Sequence, residues 1–331
     1  MDVLIPVERD ETYTAYSQAD VLQTLVPLVE GLMDDHLRKR KLWFPNDFLP
    51  ADEQMDEDQV ANAARIRERA RSLPDAVRAA VALNLLTEEG LPHFHRVISS
   101  ALGEDNPWGA WNLLWTGEEE RHGAVIHDYV RDTRLFKMRE IEMMQYSYLH
   151  AGFRPKWESD PYLLFVYTTL QERATQYSHR GTGRVAGDDE PTLKGILSAI
   201  AADEAKHYRF YRGVFKGILE CDADRALVAA LAIMPSLEMP GSSIPHYFEM
   251  AEVTRRIGIY SAWDYKEIVE EATNFWGIAD LDGLSPEGRQ AQEKIMAIPA
   301  RLQRVAERTE RRNQPKTFAF DFTYGREFTL Q

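Results

Sequence analysis

Apolar residues recur every three or four positions along most of this chain, which is the spacing of helices with one buried face. Proline and glycine clusters interrupt the pattern and predict helices at about 18–41, 58–72, 75–101, 108–132, 134–151, 161–181, 191–219, 223–234, 246–257, 262–276 and 286–312. Residues 317–330 are the only strand-like segment. The pattern therefore predicts an all-α fold.

The remaining segments are short. Residues 1–17 are expected to form an extended or mobile arm, and Trp43–Pro50 a loop with two prolines. The rest of the chain, 18–331, is expected to fold as a single domain.

Two of the predicted apolar faces also carry charged residues. They consist of Trp111, Leu114, Trp115, Glu119, His122, Val125 and Ile126, and of Leu197, Ile200, Ala201, Glu204, His207, Tyr208 and Tyr211. Residues three positions apart share a helix face, so each Glu-x-x-His pair is predicted to point into the protein together with its apolar neighbours.

The two pairs belong to matching half-sets, in which a lone Glu precedes each Glu-x-x-His by 31 or 32 positions. The sets are Glu88 with Glu119 and His122, and Glu172 with Glu204 and His207. At 1.5 Å per residue, the helix from Glu88 to a turn near Gly103 spans about 22 Å, and the helix from Pro107 to Glu119 about 18 Å. The two carboxylates of a half-set are therefore expected to lie level.

Proline and glycine place the other turns. Gly181, Gly183 and Gly187 predict a turn after Glu172, and Pro191 suits the first position of the next helix. Pro92 cannot donate to the carbonyl of Glu88, so the helix is expected to kink beside these charges, either for function or as a simple bend around the core.

Four buried carboxylates repel one another strongly unless cations neutralise them. Two divalent ions would balance the four, and oxygen and imidazole donors without thiolates suit iron or manganese. The alternative is that each Glu pairs with an arginine, for which Arg121 and Arg173 are candidates. The ligand set matches that of ferritin-like di-iron bundles. We therefore expect a ferritin-like four-helix di-iron bundle at about 75–219, with additional packed helices at 223–312.

Composition narrows the class of protein further. The chain has 331 residues, 44% of them hydrophobic, which is enough for one large helical core. Its net charge of −14 argues against nucleic acid as a partner. The single Cys221 excludes an internal disulfide framework, and no signal peptide or transmembrane segment is evident, so a cytoplasmic protein is expected.

Several separated motifs resemble those of the soluble acyl-acyl carrier protein desaturases. In chain order they are Trp43–Pro50, Thr87–Pro92, Glu118–His122, Gln171–Thr175, Ala202–His207 and Ile298–Arg301, and the resemblance covers roughly residues 20–325. The loop between Ala101 and Trp111 is shorter than in plant members, and no plastid transit segment precedes the motifs, which favours a bacterial relative.

The resemblance implies an enzyme that uses O2 and two iron ions to introduce a cis double bond into a saturated acyl chain carried on acyl carrier protein. A ferredoxin-type electron donor and a homodimer are implied as well. A ferroxidase or another di-iron oxygenase, a ribonucleotide reductase radical subunit and a non-enzymatic helical interaction protein remain as alternative hypotheses.

The resemblance also suggests individual roles. Glu119 and Glu204 are expected to bridge the metals, with Glu88 and Glu172 as terminal ligands. As in the family, Asp203 is expected to pair with His122, and Trp43 is expected to complete a chain from Asp203 toward the surface. The family also places a Thr beside the oxygen-binding position, which corresponds to Thr175. The pseudo-symmetry of the two half-sets, and not the family, suggests Glu118 as the partner of His207. The alternatives are surface salt bridges for the two acids and a bond to its own helix for Thr175.

Substrate and docking residues are predicted less directly. The candidates for an acyl tunnel are Phe94, Val97, Ala101, Leu164 and Tyr167, each of which would also suit plain core. Plant members often have Gly at the position of Leu164 and a larger Met at that of Val97, and the added bulk at Leu164 would shorten the tunnel and favour palmitoyl over stearoyl chains. The candidates for contact with acidic partner proteins are Arg38, Lys39, Arg40, Lys41 and Lys206, where the alternative is a solvated helix end.

Overall fold

The structure, a computed structural model, describes residues 17–49, 57–155, 157–237 and 239–331. Its helices are α1 (Gln18–Thr24), α2 (Val26–Lys39), α3 (Glu57–Ser72), α4 (Asp75–Glu88), α5 (Leu91–Leu102), α6 (Pro107–Thr133), α7 (Met138–Ala151), α8 (Pro161–Ala186), α9 (Pro191–Cys221), α10 (Ala223–Ile233), α11 (Tyr247–Arg256), α12 (Ala262–Trp276), α13 (Pro286–Met296) and α14 (Ile298–Arg311). The predicted all-α fold is confirmed.

The strand-like tail forms a small hairpin. Strands β1 (Lys316–Ala319) and β2 (Glu327–Leu330) pair antiparallel, with Phe318 opposite Phe328. Of the predicted arm at 1–17, residues 1–16 lie outside the described part of the chain. Pro50, the last residue of the predicted loop, lies outside it as well.

Helices α4, α6, α8 and α9 surround the interior of the bundle. The long helices α8 and α9 pack against each other along their length, α4 lies against α6 and α8, and α6 lies against α9. Outside them, α2 covers α6 and α9, while α10 and α12 cover α8 and α9. The four inner helices are those that carry the two predicted half-sets.

The core consists of two apolar clusters, one toward each end of the bundle. Along α6, Trp111 and Trp115 belong to one cluster and Val125 and Ile126 to the other. Along α9 the order is reversed, as expected for an antiparallel neighbour, with Ile200 in one cluster and Tyr211 in the other. The Glu-x-x-His motifs lie between the clusters, in a charged layer with apolar packing on both sides.

Three predicted helices are interrupted at prolines. The segment 18–41 breaks at Leu25 before Pro27, and 286–312 breaks at Ala297 before Pro299. The predicted kink at Pro92 is a full break, since α4 ends at Glu88 and α5 begins at Leu91. A helix tolerates proline best in its first turn, so each of these three prolines lies at the start of a new helix instead of bending a continuous one.

The predicted turn after residue 181 lies further along the chain. Helix α8 continues to Ala186, and only Gly187, with φ of +78°, adopts the left-handed backbone that ends it. Gly181 is helical and serves close packing, because a Cβ there would lie 2.6 Å from the carbonyl oxygen of Ile259. The sequence did not distinguish a glycine that permits packing from one that permits a turn.

Candidate metal centre

The six predicted ligands come together in two overlapping groups. Ligand atoms of Glu88, Glu119, His122 and Glu204 all lie within 4.8 Å of one another, and the same holds for Glu119, Glu172, Glu204 and His207. Glu119 and Glu204 belong to both groups, whereas Glu88 and Glu172 each belong to one. The arrangement offers two cation sites that share two carboxylates.

Both imidazoles present the same atom to the interior. The Nδ1 atom of His122 lies 3.3 Å from Oε1 of Glu204 and 3.4 Å from Oε2 of Glu119. The Nδ1 atom of His207 lies 2.9 Å from Oε1 of Glu119 and 3.5 Å from Oε2 of Glu172. All of these side chains are buried, so bulk water does not screen their charges.

Several of these buried polar atoms have no hydrogen-bond partner among the described residues. They include Oε1 of Glu119, Oε2 of Glu172, both carboxylate oxygens of Glu204 and the Nδ1 atoms of His122 and His207. Buried polar atoms are normally paired, and these unpaired ones converge on a common centre. The donor set of oxygens and imidazole nitrogens fits a pair of iron or manganese ions.

The arginine alternative fails on geometry. Arg121 donates to the carbonyl oxygen of Trp43 at 2.7 Å and to Asp203 at 3.3 Å, and Arg173 donates to Glu271. Neither guanidinium neutralises one of the four inner carboxylates.

Electrostatics also indicates that cations belong at this centre. Burial, followed by the charges of Glu119 and Glu172, raises the pKa of Glu204 well above its ordinary range. Burial likewise raises the pKa of Glu172. Burial opposes protonation of His122, but the carboxylates of Glu119, Asp203 and Glu204 together outweigh burial and raise the pKa of that imidazole well above its ordinary value. Without cations, the centre therefore retains protons that bound metal would displace.

The outward-facing nitrogens meet the two predicted acids. The Nε2 atom of His207 lies 2.9 Å from Oε2 of Glu118, and that oxygen also contacts Nε2 of His36 at 3.0 Å. Arg40 donates to the other oxygen, Oε1 of Glu118. The Nε2 atom of His122 lies 3.6 Å from Oδ2 of Asp203. The hydrogen bond to Glu118 holds the ring of His207 with Nδ1 inward, the role of such carboxylates beside metal-bound histidines. Asp203 lies on the corresponding side of His122 but beyond hydrogen-bond distance of its Nε2 atom.

Asp203 joins several groups. It accepts from Trp43 Nε1 at 2.8 Å and from Lys206 Nζ at 2.9 Å, in addition to Arg121. Burial opposes its ionisation, but the contacts with His122 and Lys206 outweigh burial and lower its pKa to about 2. The indole of Trp43 also stacks on the ring of His122, with 5.9 Å between the ring centroids.

Sequence reasoning missed three residues of this centre. Nε2 of His179 lies 2.7 Å from Oε1 of Glu88, Trp115 Nε1 donates to Oε1 of Glu172 at 3.1 Å, and His36 contacts Glu118. A signal for His179 was present, because it lies seven residues after Glu172 on the same face of one helix. His36 is on the separate helix α2, and nothing in the sequence linked that helix to Glu118.

A cavity of about 220 Å³ adjoins the centre. It is lined by both ligands Glu88 and Glu119, by Phe94, Thr175 and Trp115, and by residues from the distant segment that includes Met239, Tyr247, Thr254 and Tyr260. The hydroxyl of Thr175 also donates to the Gln171 carbonyl oxygen at 2.8 Å, so it bonds its own helix while lining the cavity.

Four of the five predicted tunnel residues lie elsewhere. Val97, Leu164 and Tyr167 are packed in the core, and Ala101 lies at its margin, none of them lining this cavity. On that side, the rings of Phe94 on α5 and Tyr167 on α8 stack on each other. The tunnel through these five residues stays a prediction. The opposite wall comes from α11, whose position the sequence did not reveal.

The predicted docking cations are largely paired within the chain. Arg38 and Lys39 contact Asp35, Arg40 contacts Glu118, and Lys206 contacts Asp203. Lys41 is exposed. These contacts reduce the free positive charge that this surface can offer to an acidic partner.

Within the described ranges, no helix combines the length and the apolar character needed to cross a bilayer.

Comparisons with known proteins agree on one family. The sequence model of the fatty acid desaturase family matches residues 17–324. Stearoyl-[acyl-carrier-protein] 9-desaturase 1 of Arabidopsis thaliana is 32% identical over an alignment of 345 residues, gaps included. The alignment covers 98% of this chain and 87% of that protein. Stearoyl-[acyl-carrier-protein] 9-desaturase 2 of Oryza sativa subsp. indica is 35% identical, covering 89% of this chain and 78% of that protein.

A solved structure shares the fold. The X-ray structure of DesA2 from Mycobacterium tuberculosis H37Rv, assigned as an acyl-ACP desaturase, superimposes with a TM-score of 0.58 at 21% identity. The match covers 82% of this chain and 98% of that one.

Proposed function

This chain belongs to the acyl-acyl carrier protein desaturase family, and we propose on that premise that it introduces a cis double bond into a saturated acyl chain carried on acyl carrier protein, for fatty acid biosynthesis. The observation that carries the proposal is the pair of buried ligand groups that share Glu119 and Glu204 beside a cavity. A catalytic centre of this kind needs both metal ligands and room for a substrate.

Two iron ions are the proposed cofactor. Glu88 and His122 would hold one ion, Glu172 and His207 the other, and Glu119 and Glu204 would bridge them. When bound, the ions supply the redox chemistry by which O2 is reduced to two waters. The acyl chain gives up two hydrogens, which account for two of the four electrons and two of the four protons, and a ferredoxin-type donor and the solvent provide the rest.

The residues around the ligands have supporting roles. Glu118 is proposed to orient the imidazole of His207 through its outward nitrogen. Asp203, 3.6 Å from the outward nitrogen of His122, is proposed to act on that ring when the metal is bound. The apolar walls of the cavity hold the acyl chain and exclude water, so that a methylene pair and not solvent faces the ligands. Thr175 places a hydroxyl on the wall of the same cavity, where it would lie near the position at which O2 reacts.

Electrons are proposed to arrive through Trp43, Asp203 and His122, which are in sequential contact. Acyl carrier protein and the electron donor are proposed to approach the surface around Lys39, Lys41 and Lys206, and association should weaken with salt. A homodimer is proposed from the family. Residues 18–331 are proposed to act as one domain, with the helices beyond 223 covering the metal-bearing part.

The test is a single-turnover experiment. The protein is loaded anaerobically with ferrous iron and mixed with a carrier-bound saturated acyl chain, reductant and then O2, and the released acid is analysed by gas chromatography. An unsaturated acid is expected, and Glu204→Gln should abolish it because one shared carboxylate is lost.

The other outcomes separate the alternatives. Iron binding and O2 consumption without unsaturated acid from any chain length would indicate a ferroxidase and overturn the desaturase proposal. A protein that binds no iron would overturn both.

A further inference from the structure

His122 and His207 belong to different half-sets, but the same three kinds of group lie behind each imidazole. On the side of His122, the indole of Trp43 stacks on the ring, with 5.9 Å between centroids and 6° between planes. The indole Nε1 donates at 2.8 Å to Asp203, the acid beside His122. Arg121 completes the group with a hydrogen bond to the same carboxylate.

His36 occupies the corresponding place on the side of His207. Its imidazole stacks on the ring of His207, with 5.8 Å between centroids and 21° between planes. Its Nε2 atom lies 3.0 Å from Oε2 of Glu118, the oxygen that also contacts His207. Arg40 donates to the other oxygen at 3.2 Å. Each of the two histidines is therefore backed by a stacked ring, an acid that this ring contacts and a guanidinium.

The repeat in the sequence does not extend to these backing groups. The half-sets lie at 88–122 and 172–207, whereas His36, Arg40 and Trp43 come from the end of α2 and the residues that follow it. Helix α2 packs on both α6 and α9, the helices that carry the two Glu-x-x-His motifs. One segment of the chain thus supplies backing groups to both halves of the centre.

The contacts around Glu118 have a fixed direction. Glu118 pairs with Arg40 as a carboxylate, which only accepts hydrogen bonds, so the Nε2 atom of each neighbouring imidazole carries a proton. The N–H of His36 lies 3.1 Å and 3.0 Å from the two oxygens of Glu118 and spans them. It therefore restrains the rotation of the carboxylate that holds His207 with Nδ1 toward the ligands.

We propose that His36 is a positioning residue for the ion that Glu172 and His207 hold, and that it acts through Glu118. This inference rests on the proposed function, since it concerns the same pair of ions. It goes beyond the predicted pairing of Glu118 with His207, because it assigns a role to a residue outside the six ligands, on a helix that carries none of them.

The proposed role depends on one N–H group and not on the ring that carries it. The ring of His36 is buried, and the indole of Trp111 meets it edge-on at 5.2 Å. A phenyl ring at this position would keep the ring contacts but could not donate to Glu118. A glutamine lacks the ring, but its amide can donate an N–H from near the position of Nε2. The two substitutions separate packing from hydrogen bonding.

The experiment measures metal binding at each site. Anaerobic titration with ferrous iron gives the two affinities, and Mössbauer spectroscopy resolves the two ions, which Glu88→Gln and Glu172→Gln assign. His36→Phe should weaken the ion held by Glu172 and His207 by about tenfold, the lower end of the range for groups that support metal ligands, and should change the spectrum of that ion alone. The ion held by Glu88 and His122 should bind as in wild type. His36→Gln should restore most of the affinity.

A double variant tests the route through Glu118. Glu118→Gln alone should weaken the same ion at least as much as His36→Phe does. Adding His36→Phe to Glu118→Gln should cause little further loss, because residues that act through one chain of contacts are not additive. Losses that simply add would mean that His36 does not act through Glu118.

Two control variants address the other half of the centre and general stability. Trp43→Phe removes the donor at the corresponding place and should leave the ion held by Glu172 and His207 as in wild type. Val29→Ala truncates a buried side chain of α2 and should lower stability without changing either affinity.

Each outcome decides the question. Unchanged affinity in His36→Phe, equal weakening of both ions, the same selective loss in Val29→Ala, or no recovery in His36→Gln overturns the proposal. If circular dichroism shows that His36→Phe does not fold, His36→Leu replaces it. Wild-type protein that binds neither Fe²⁺ nor Mn²⁺ overturns it together with the proposed function. A selective loss in a protein that forms no unsaturated acid would refute the proposed function and support the role of His36, so the two failures are distinguishable.

Discussion

The Nε2 atom of His179 lies 2.7 Å from Oε1 of Glu88, and both side chains are buried. The imidazole N–H donates to this oxygen, which leaves Oε2 facing His122 at 3.8 Å from its Nδ1 atom. Glu88 thus presents one free oxygen to the ligand group and keeps the other in a hydrogen bond. This contact fixes the rotation of a carboxylate that sits at the last residue of α4, next to the break before Pro92.

His179→Ala should therefore weaken one metal site and spare the other. Loss of a hydrogen bond to a ligand commonly costs about 10–100-fold in metal affinity. We expect a loss of this size for the ion held by Glu88, with the second ion bound as in wild type. Anaerobic titration with ferrous iron, followed by Mössbauer spectroscopy to resolve the two sites, measures it.

A matched control is His95→Ala. His95 is half-buried and bonds to Thr116 at 2.7 Å, but it touches none of the six ligands. Equal weakening by both variants would show that the effect of His179 is general destabilisation and not support of Glu88.

The stability of the metal-free protein should fall as the pH rises from about 5.5 to 8. Burial, together with Glu119 and Glu172, raises the pKa of Glu204 above its ordinary 4.5, so the folded state binds a proton that the unfolded state has already released. The penalty on folding grows as the pH rises above 4.5 toward the raised value. The pKa of Glu172 is raised by burial and acts in the same direction.

The histidines contribute with the same sign. Burial opposes protonation of His207, but contacts with Glu118 and Glu119 outweigh burial and raise the pKa of this imidazole above 6.5. The resulting stabilisation of the folded state is fully present below pH 6.5 and is lost as the pH rises through the raised pKa. Urea unfolding at several pH values measures the trend. Bound Mn²⁺ or Fe²⁺ should reverse it, because metal needs deprotonated ligands, and Glu204→Gln should flatten it. Stability that rises with pH without metal would contradict this account.

The sequence was sufficient to predict which six side chains the structure brings together, because their spacing is local. Helical periodicity placed each Glu-x-x-His on a buried face, and the lone Glu88 and Glu172 followed from the repeat. His36 and the cavity wall at Tyr247 and Tyr260 depend on how separate helices pack, which no local pattern encodes. The same limit applies to the predicted tunnel. Phe94 and Tyr167 both suit a helical core, and whether their rings stack on each other depends on tertiary packing.

Thr175→Val should uncouple oxygen consumption from product formation. The substitution keeps the shape of the side chain but removes its hydroxyl from the wall of the cavity. We expect several-fold more O2 consumed per unsaturated acid, with iron binding unchanged, as measured with an oxygen electrode and gas chromatography on the same sample.

Thr168→Val provides the control for that substitution. Thr168 is on the same helix, and its hydroxyl donates to the Leu164 carbonyl oxygen at 2.9 Å, much as Thr175 donates to Gln171, but it is buried away from the cavity. Loss of one such bond costs about 1 kcal/mol of stability in either variant. If Thr175→Val retains wild-type coupling, its hydroxyl serves only its own helix.

Gly181→Ala should destabilise the protein although alanine favours helices. A Cβ at Gly181 would lie 2.6 Å from the backbone oxygen of Ile259, which cannot rotate away, so α8 must move from the segment that precedes α12. Overpacking of this kind costs about 1–3 kcal/mol, more than the roughly 1 kcal/mol that alanine gains over glycine in a helix. At Gly183 the nearest atom is the Leu197 Cβ at 3.4 Å, an ordinary contact, so Gly183→Ala should be neutral or stabilising. Urea unfolding of the two variants compares these positions two residues apart, and equal stability would mean that the approach of Ile259 is not tight.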